Sequence, residues 1–467
     1  MTENLQNVVL NGRIVPTFFY YVVFSTLGLV AITTANLVDG AFVGNYVGAE
    51  ALAVITLLIP YFTVLFALAL MLAIGGSVSA GTYIGDSKPQ QASLVFSQSL
   101  ISVLILVTVC AIVSLVFEKQ LFRMLNIPPQ LEDLAQQYLG VIRWVLIVQL
   151  FTMVLYYFVR ADGHAKLATA ALVSGAIINI VLDAWFIVIL EHGLRGAAYA
   201  TAIAQTVQLL ILSRYFFSKH RSLHLIFNFT LQQVTYIARS AYNGLSEFVN
   251  EISVALVFLL LNTLLISRLG VDGVAAFSVA NYFVFLSIML SYGVADTLHL
   301  VVSQNFGAKN LVRVEKFLHT ALLTTLGIGT GIVLILFSWQ QNIIAWFTNS
   351  KDAAIAQMCN ELLLSIWPLF LINGINIIFS CYLTALQKPR PSALIAIARG
   401  LVLPGSLLLL FYTLFEKNAF LNQHTQAWSF IVALPIAEWA TLMLAVVLYL
   451  KHKPSSFYHS EAAQFST

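Results

Sequence analysis

The chain has 467 residues, 60% of them hydrophobic and only 9% charged, with a net charge of +3. A soluble globular chain carries roughly 25% charged residues, so this composition excludes one and describes a polytopic membrane protein. No basic patch is interleaved with aromatics, which excludes nucleic-acid binding, and three cysteines in or beside apolar runs (Cys110, Cys359, Cys381) argue against a disulfide framework.

A membrane-crossing helix needs about 20 mostly apolar residues. Breaking the apolar runs at polar, Gly and Pro clusters predicts twelve of them in chain order, at 14–43, 51–77, 92–117, 136–160, 167–190, 194–217, 237–268, 275–302, 313–338, 356–386, 391–415 and 427–450. The first run is too long for a cleavable signal peptide and lacks a small-residue cleavage site. The expected fold is an all-α integral membrane protein. The longest polar connection, 218–240, follows the sixth helix. It divides the chain into an N-lobe (1–217), an interlobe linker (218–236), a C-lobe (237–450) and a tail (451–467).

Basic residues set the orientation. The side holding the termini and the even-to-odd connections carries fifteen Lys and Arg, among them Lys88, Arg221 and Lys388, against six on the other side. The positive-inside rule then puts both termini, the linker and the tail in the cytoplasm. The glycosylation sequon at Asn228 falls on that side and is read as chance.

The two halves resemble each other. Sliding the first by 222 positions brings Gly48, Ala53 and Gly85 onto Gly270, Ala275 and Gly307, and Tyr61 onto Phe283. An offset of 224 brings Ala161 onto Ala385 and Lys166 onto Arg390. With an even number of crossings per repeat, both halves enter from the same side. That predicts two six-helix lobes related by a pseudo-twofold along the membrane normal, with substrate sites between repeats.

Polar residues inside the apolar runs are the candidate functional groups. Asp39, Asp183 and Thr201 each lie about 7 residues from the outer end of a helix, roughly 10 Å deep, with Asn179 one turn deeper on the face of Asp183. Four oxygen-bearing side chains at one level make a hard-cation cage. They make a proton site equally well, since two neighbouring carboxylates resist joint ionisation. The competing reading is that Asn179 and Thr201 join helices by hydrogen bonds and Asp39 caps a helix end. Acids in a membrane helix default to function.

The second half has Leu261, Leu403 and Leu407 at the matching positions. Its acids are Glu247 and Glu251, one turn apart, and Glu438. They form a candidate substrate or second proton site, or else a neutral pair that supports packing. Tyr61 and Phe283 are candidates for cation–π contact with a flat cargo. Asp296 and His299 read as an interfacial pair, and Arg143 and Arg399 as snorkelling or neutralising an acid. Pro60, Pro368, Pro404 and Pro435 are candidate bends, and Gly75 with Gly76 a site of close helix packing or a hinge.

Several stretches together resemble the multidrug and toxic compound extrusion (MATE) family: "NLVDGAFVGNYVGAEALA" (36–53), "GGSVSAGTYIGDSK" (75–88), "VRADGHAKLATAALVSGAIINIVLDAWFI" (159–187), "GLRGAAYATAIAQ" (193–205), "NGLSEFVNE" (243–251) and "LTALQKPRPSALIAIARG" (383–400). The resemblance covers about residues 13–450 and implies a twelve-helix exporter with its lobes in a V. Such a protein expels organic cations and other amphipathic compounds against proton or sodium entry. It also implies an N-lobe cation site on Asp39, Asn179, Asp183 and Thr201. Some members bind the cation instead in the C-lobe, on a seventh-helix Glu, here Glu247 or Glu251, and a tenth-helix Asp. The tenth helix here has only Glu361, near its outer end.

The expected function is therefore a cation-coupled antiporter, with a flippase or exporter of a lipid-linked or other specific metabolite as the alternative. No H-E-x-x-H or other motif with catalytic mechanics is present, so no enzyme activity is expected. The expectation further includes no cofactor beyond H⁺ or Na⁺ as coupling ion, and no metal other than that Na⁺. Its partners would be amphipathic or cationic small molecules and membrane lipid, and the chain would act as a monomer in the inner (cytoplasmic) membrane.

Overall fold

A computed structural model describes residues 5–226, 231–347, 353–417 and 429–453, and within them the chain is helical with no strand. Among the described residues, twelve helices are long and apolar enough to cross a membrane. They are α1 (Ile14–Val47), α2 (Ala49–Gly85), α3 (Pro89–Val116), α4 (Pro129–Ala161), α5 (Ala165–Ile189), α6 (Gly193–Phe217), α7 (Leu245–Gly270), α8 (Gly273–Gly307), α9 (Leu311–Gln340), α10 (Ala356–Ala385), α11 (Pro389–Phe415) and α12 (Ser429–Lys451). In hydrocarbon every backbone N–H and C=O must be satisfied within its own segment, which is why these runs are helices. Each corresponds to one predicted run. The sequon at Asn228 and the tail beyond residue 453 lie outside the described residues.

One predicted helix is differently bounded. The run 237–268 straddles a break at Gly244, which separates an amphipathic helix, Leu231–Asn243, from α7. The connection before it is pinned by side chains. Asp162 accepts hydrogen bonds from the Tyr215 hydroxyl (2.7 Å) and the Ser222 amide (2.8 Å), and Ser93 and Ser97 of α3 accept from the amides of His224 (3.0 Å) and Ile226 (2.8 Å).

The contacts divide the chain into two compact units, Met1–Phe248 with His299–Asn310, and Val249–Leu298 with Leu311–Thr467. In the first, α1 packs on α5, α5 on α6, and α4 on α2, α3 and α6. In the second, α10 packs on α9, α11 and α12. Lipid supplies no hydrophobic drive between helices, so small residues that admit close approach decide the packing. A Cβ on Gly75 would lie 1.9 Å from the Ser240 carbonyl oxygen. At the ends of α2 and α8, a Cβ on Gly85 would lie 1.9 Å from the Gln304 oxygen and one on Gly307 2.0 Å from the Thr82 oxygen. Gly48 and Gly270, matched by the sequence repeat, both join consecutive helices at positive φ (119° and 66°), where other residues are strained.

Among the described residues, three of the helices carry a π turn. The ends of α1 (Val43–Val47) and α5 (Ala184–Ile189) and the interior of α11 (Ala398–Val402) are π-helical. In α11 the cause is local: Pro404 has no N–H to offer the Gly400 carbonyl, and a wider turn just before it accommodates the ring. Pro60 and Pro368 sit within α2 and α10.

Candidate functional site

Within the first unit a cavity of about 400 Å³ opens between α1, α2, α4, α5 and α6. That volume is in the range of small-molecule sites, about 300–1,000 Å³. Asp39 of α1, Asn179 of α5 and Thr201 of α6 line it. Asp183, one turn beyond Asn179, is fully buried (0% exposed) and lies outside the lining. Tyr138 of α4 also lines the cavity.

The local backbone explains how the two acids reach this place. Asp39 accepts through its carbonyl the amide of Val43, the first residue of the π turn of α1. Asp183 is the last α-helical residue before the π turn of α5. Each acid thus sits where its helix changes pitch, a feature that recurs at functional sites.

The polar atoms here are short of partners. Oδ1 of Asp39, Nδ2 of Asn179 and both carboxylate oxygens of Asp183 are buried without a hydrogen bond among the described residues. Thr201 donates to the Ala197 carbonyl (3.1 Å), which leaves its oxygen lone pairs available. Leaving a buried polar group unmatched costs about 1–3 kcal/mol, more for a charge. Unpartnered carboxylate oxygens on α1 and α5, with the Thr201 hydroxyl oxygen on α6, suit a proton or a hard cation, which oxygen ligands hold.

Depth counting did not find the rest of the lining. Asn36, Gln149, Gln205 and Gln208 add amides, and Phe62, Phe66 and Tyr138 add aromatic faces. Gln208 fits against α5 only because Gly175 has no side chain: a Cβ there would lie 2.2 Å from the Gln208 Cγ.

The other candidate residues lie elsewhere. Tyr61 is partly buried against the core of the first unit, its ring beside that of Phe62. Phe283 is partly buried against the core of the second. Glu247 is buried (4% exposed) and Glu251 half-buried on α7. Glu438 is already bonded, accepting from Asn376 Nδ2 at 2.6 Å and Arg399 Nε at 3.2 Å. Arg143, in turn, pairs with Glu118. Both arginines neutralise an acid, as one of the two readings had it. Asp296 and His299, expected as an interfacial pair, are both buried.

Comparison with known proteins follows the same line. The MatE family model matches residues 25–185 and 248–405. The multidrug export protein MepA of Staphylococcus saprophyticus is 23% identical over 407 residues, 87% of this chain and 88% of the relative. MepA of Staphylococcus aureus strain N315 is 22% identical over 408 residues, with the same coverage of both chains. Among solved structures, an outward-facing multidrug resistance MATE family transporter of the MOP superfamily is 25% identical at a TM-score of 0.85, covering 98% of this chain and 99% of that one. A MOP superfamily transporter from Pyrococcus furiosus, described as having a binding pocket of reversed polarity, is also 25% identical, at a TM-score of 0.83 and with the same coverage.

Proposed function

The chain belongs to the MatE family of transporters, and from that premise we propose that it exports organic cations or other amphipathic compounds by alternating access, driven by proton or sodium entry. The observation that carries the reading is the sign of the cavity. Among the described residues that line it, Asp39 is the one acid, and none is a lysine, arginine or histidine. A concave site of that sign, with Phe62, Phe66 and Tyr138 on its walls, attracts flat organic cations electrostatically and by cation–π contact. The relatives named as multidrug export proteins support cargo of this class. A lipid-linked pyrophosphate would find no cation there to anchor it, so the flippase reading is not favoured.

Coupling requires that ion and cargo favour different states of the protein. In the proposed cycle a proton or sodium ion joins Asp39, Asp183, Asn179 and Thr201 and relieves the repulsion between the two acids. The π turns of α1 and α5 rewind, the cavity changes shape, and cargo leaves outward. No enzymatic step and no cofactor beyond the coupling ion enter this reading. The protein acts as a monomer in the cytoplasmic membrane with both termini inside. The test is drug resistance in a sensitised host. Asp39→Asn and Asp183→Asn should each abolish it at unchanged membrane abundance, and resistance equal to the parent's would overturn the proposal.

A further inference from the structure

The second unit holds a full charge pair inside its membrane-spanning helices. Arg399 lies in the widened turn of α11, and its side chain is only 7% exposed. Its Nε donates to Oε1 of Glu438 on α12 at 3.2 Å, and its Nη1 reaches Oδ1 of Asn250 on α7 at 3.4 Å. Asn376 of α10 donates to the remaining carboxylate oxygen, Oε2, at 2.6 Å. Asn250 in turn donates to the Tyr292 hydroxyl of α8 at 2.6 Å. Gly400 admits α7 to this spot, since a Cβ there would lie 2.7 Å from the Ser253 Cβ. Carboxylate and amide oxygens from α12 and α7 therefore meet at one point, and a guanidinium fills it.

The contrast with the first unit is one of occupancy. There the oxygens of Asp183 have no hydrogen-bond partner among the described residues; here both oxygens of Glu438 are taken. Among the described residues, each of the three π turns lies near or contains an intramembrane charged side chain: one begins a turn after Asp39, one directly follows Asp183 and one holds Arg399. Packing alone explains the pair poorly, because replacing a buried ion pair by apolar groups is often neutral or stabilising.

We propose that Arg399 is a built-in cation, occupying a carboxylate–amide pocket of the second unit that would otherwise take a coupling ion and so confining ion exchange to the first unit. This rests on the cation-coupling reading above.

The experiment reads the number of cations exchanged per ethidium, from the gradient at which ethidium flux reverses in proteoliposomes. Arg399→Met should exchange one more cation per ethidium than the parent, by exposing Glu438. R399K and the double variant R399M/E438Q should match the parent. A parent-like count in R399M would overturn the inference. If R399M does not fold, the double variant decides. Gradient-driven transport in it upholds the inference. Failure to assemble, or ethidium binding without gradient-driven transport, overturns it, because a stand-in for an ion is dispensable once its carboxylate is gone. Parent flux that ignores both proton and sodium gradients would instead remove the coupling reading, and the inference with it.

Discussion

Removing the Asp183 charge should make the protein more stable and inactive at once. The side chain is fully buried and, among the described residues, neither carboxylate oxygen has a hydrogen-bond partner. A carboxylate in the bilayer centre costs about 2.5–3.5 kcal/mol. Asparagine keeps the shape, drops the charge and still desolvates an amide, so Asp183→Asn should recover about 2 kcal/mol in the ion-free protein. A bound ion stabilises the parent by a similar amount, about 2.7 kcal/mol at a concentration 100-fold above Kd. The assay is thermal unfolding in detergent, followed by tryptophan fluorescence, with and without sodium and at low and neutral pH. The parent midpoint should rise with sodium or with protons. The variant should start higher and rise no further. A variant midpoint below the parent's under every condition would refute the reasoning, because the carboxylate would then be making a structural bond.

Three further substitutions probe the frame around the site. Gly307→Ala would push a methyl group to 2.0 Å from the Thr82 carbonyl oxygen. Backbone cannot yield there, so the loss should reach or exceed about 1–3 kcal/mol; a normal monodisperse peak on size exclusion would contradict it. Gly175→Ala would drive Gln208 out of its place on the cavity wall, and ethidium should bind several-fold more weakly; unchanged affinity would remove Gln208 from the lining. Asp162→Ala deletes the acceptor for Tyr215 and Ser222, at about 1.5–3 kcal/mol per charged hydrogen bond. Trypsin should then cut faster after Lys219 and Arg221, and an unaltered rate would show that the connection is held by other means.

The twelve helices were legible because bilayer thickness imposes a length and an apolar composition that few other structures share. The same constraint let depth be counted, and the count put Asp39, Asp183 and Thr201 at one level with Asn179 one turn deeper; in the structure Asp39, Asn179 and Thr201 line a single cavity, while Asp183 is buried outside its lining. Depth says nothing about direction around a helix. Tyr61 and Phe62 differ by about 1.5 Å in height but by about 100° in azimuth, and it is Phe62 that lines the cavity. The bonding of Glu438 was likewise hidden, since its partners on α10 and α11 are 62 and 39 residues away in sequence. The π turns of α1 and α5 carry no local sequence mark. That of α11 could have been inferred from Pro404, whose missing N–H must be absorbed one turn earlier.

The most direct measurement is ethidium movement in proteoliposomes with a proton gradient and a sodium gradient imposed separately, for the parent, Asp39→Asn and Asp183→Asn. The account predicts that at least one gradient drives ethidium in the parent and that neither drives it in the two variants, though all three bind ethidium. Equal gradient-driven flux in the parent and both variants would contradict it.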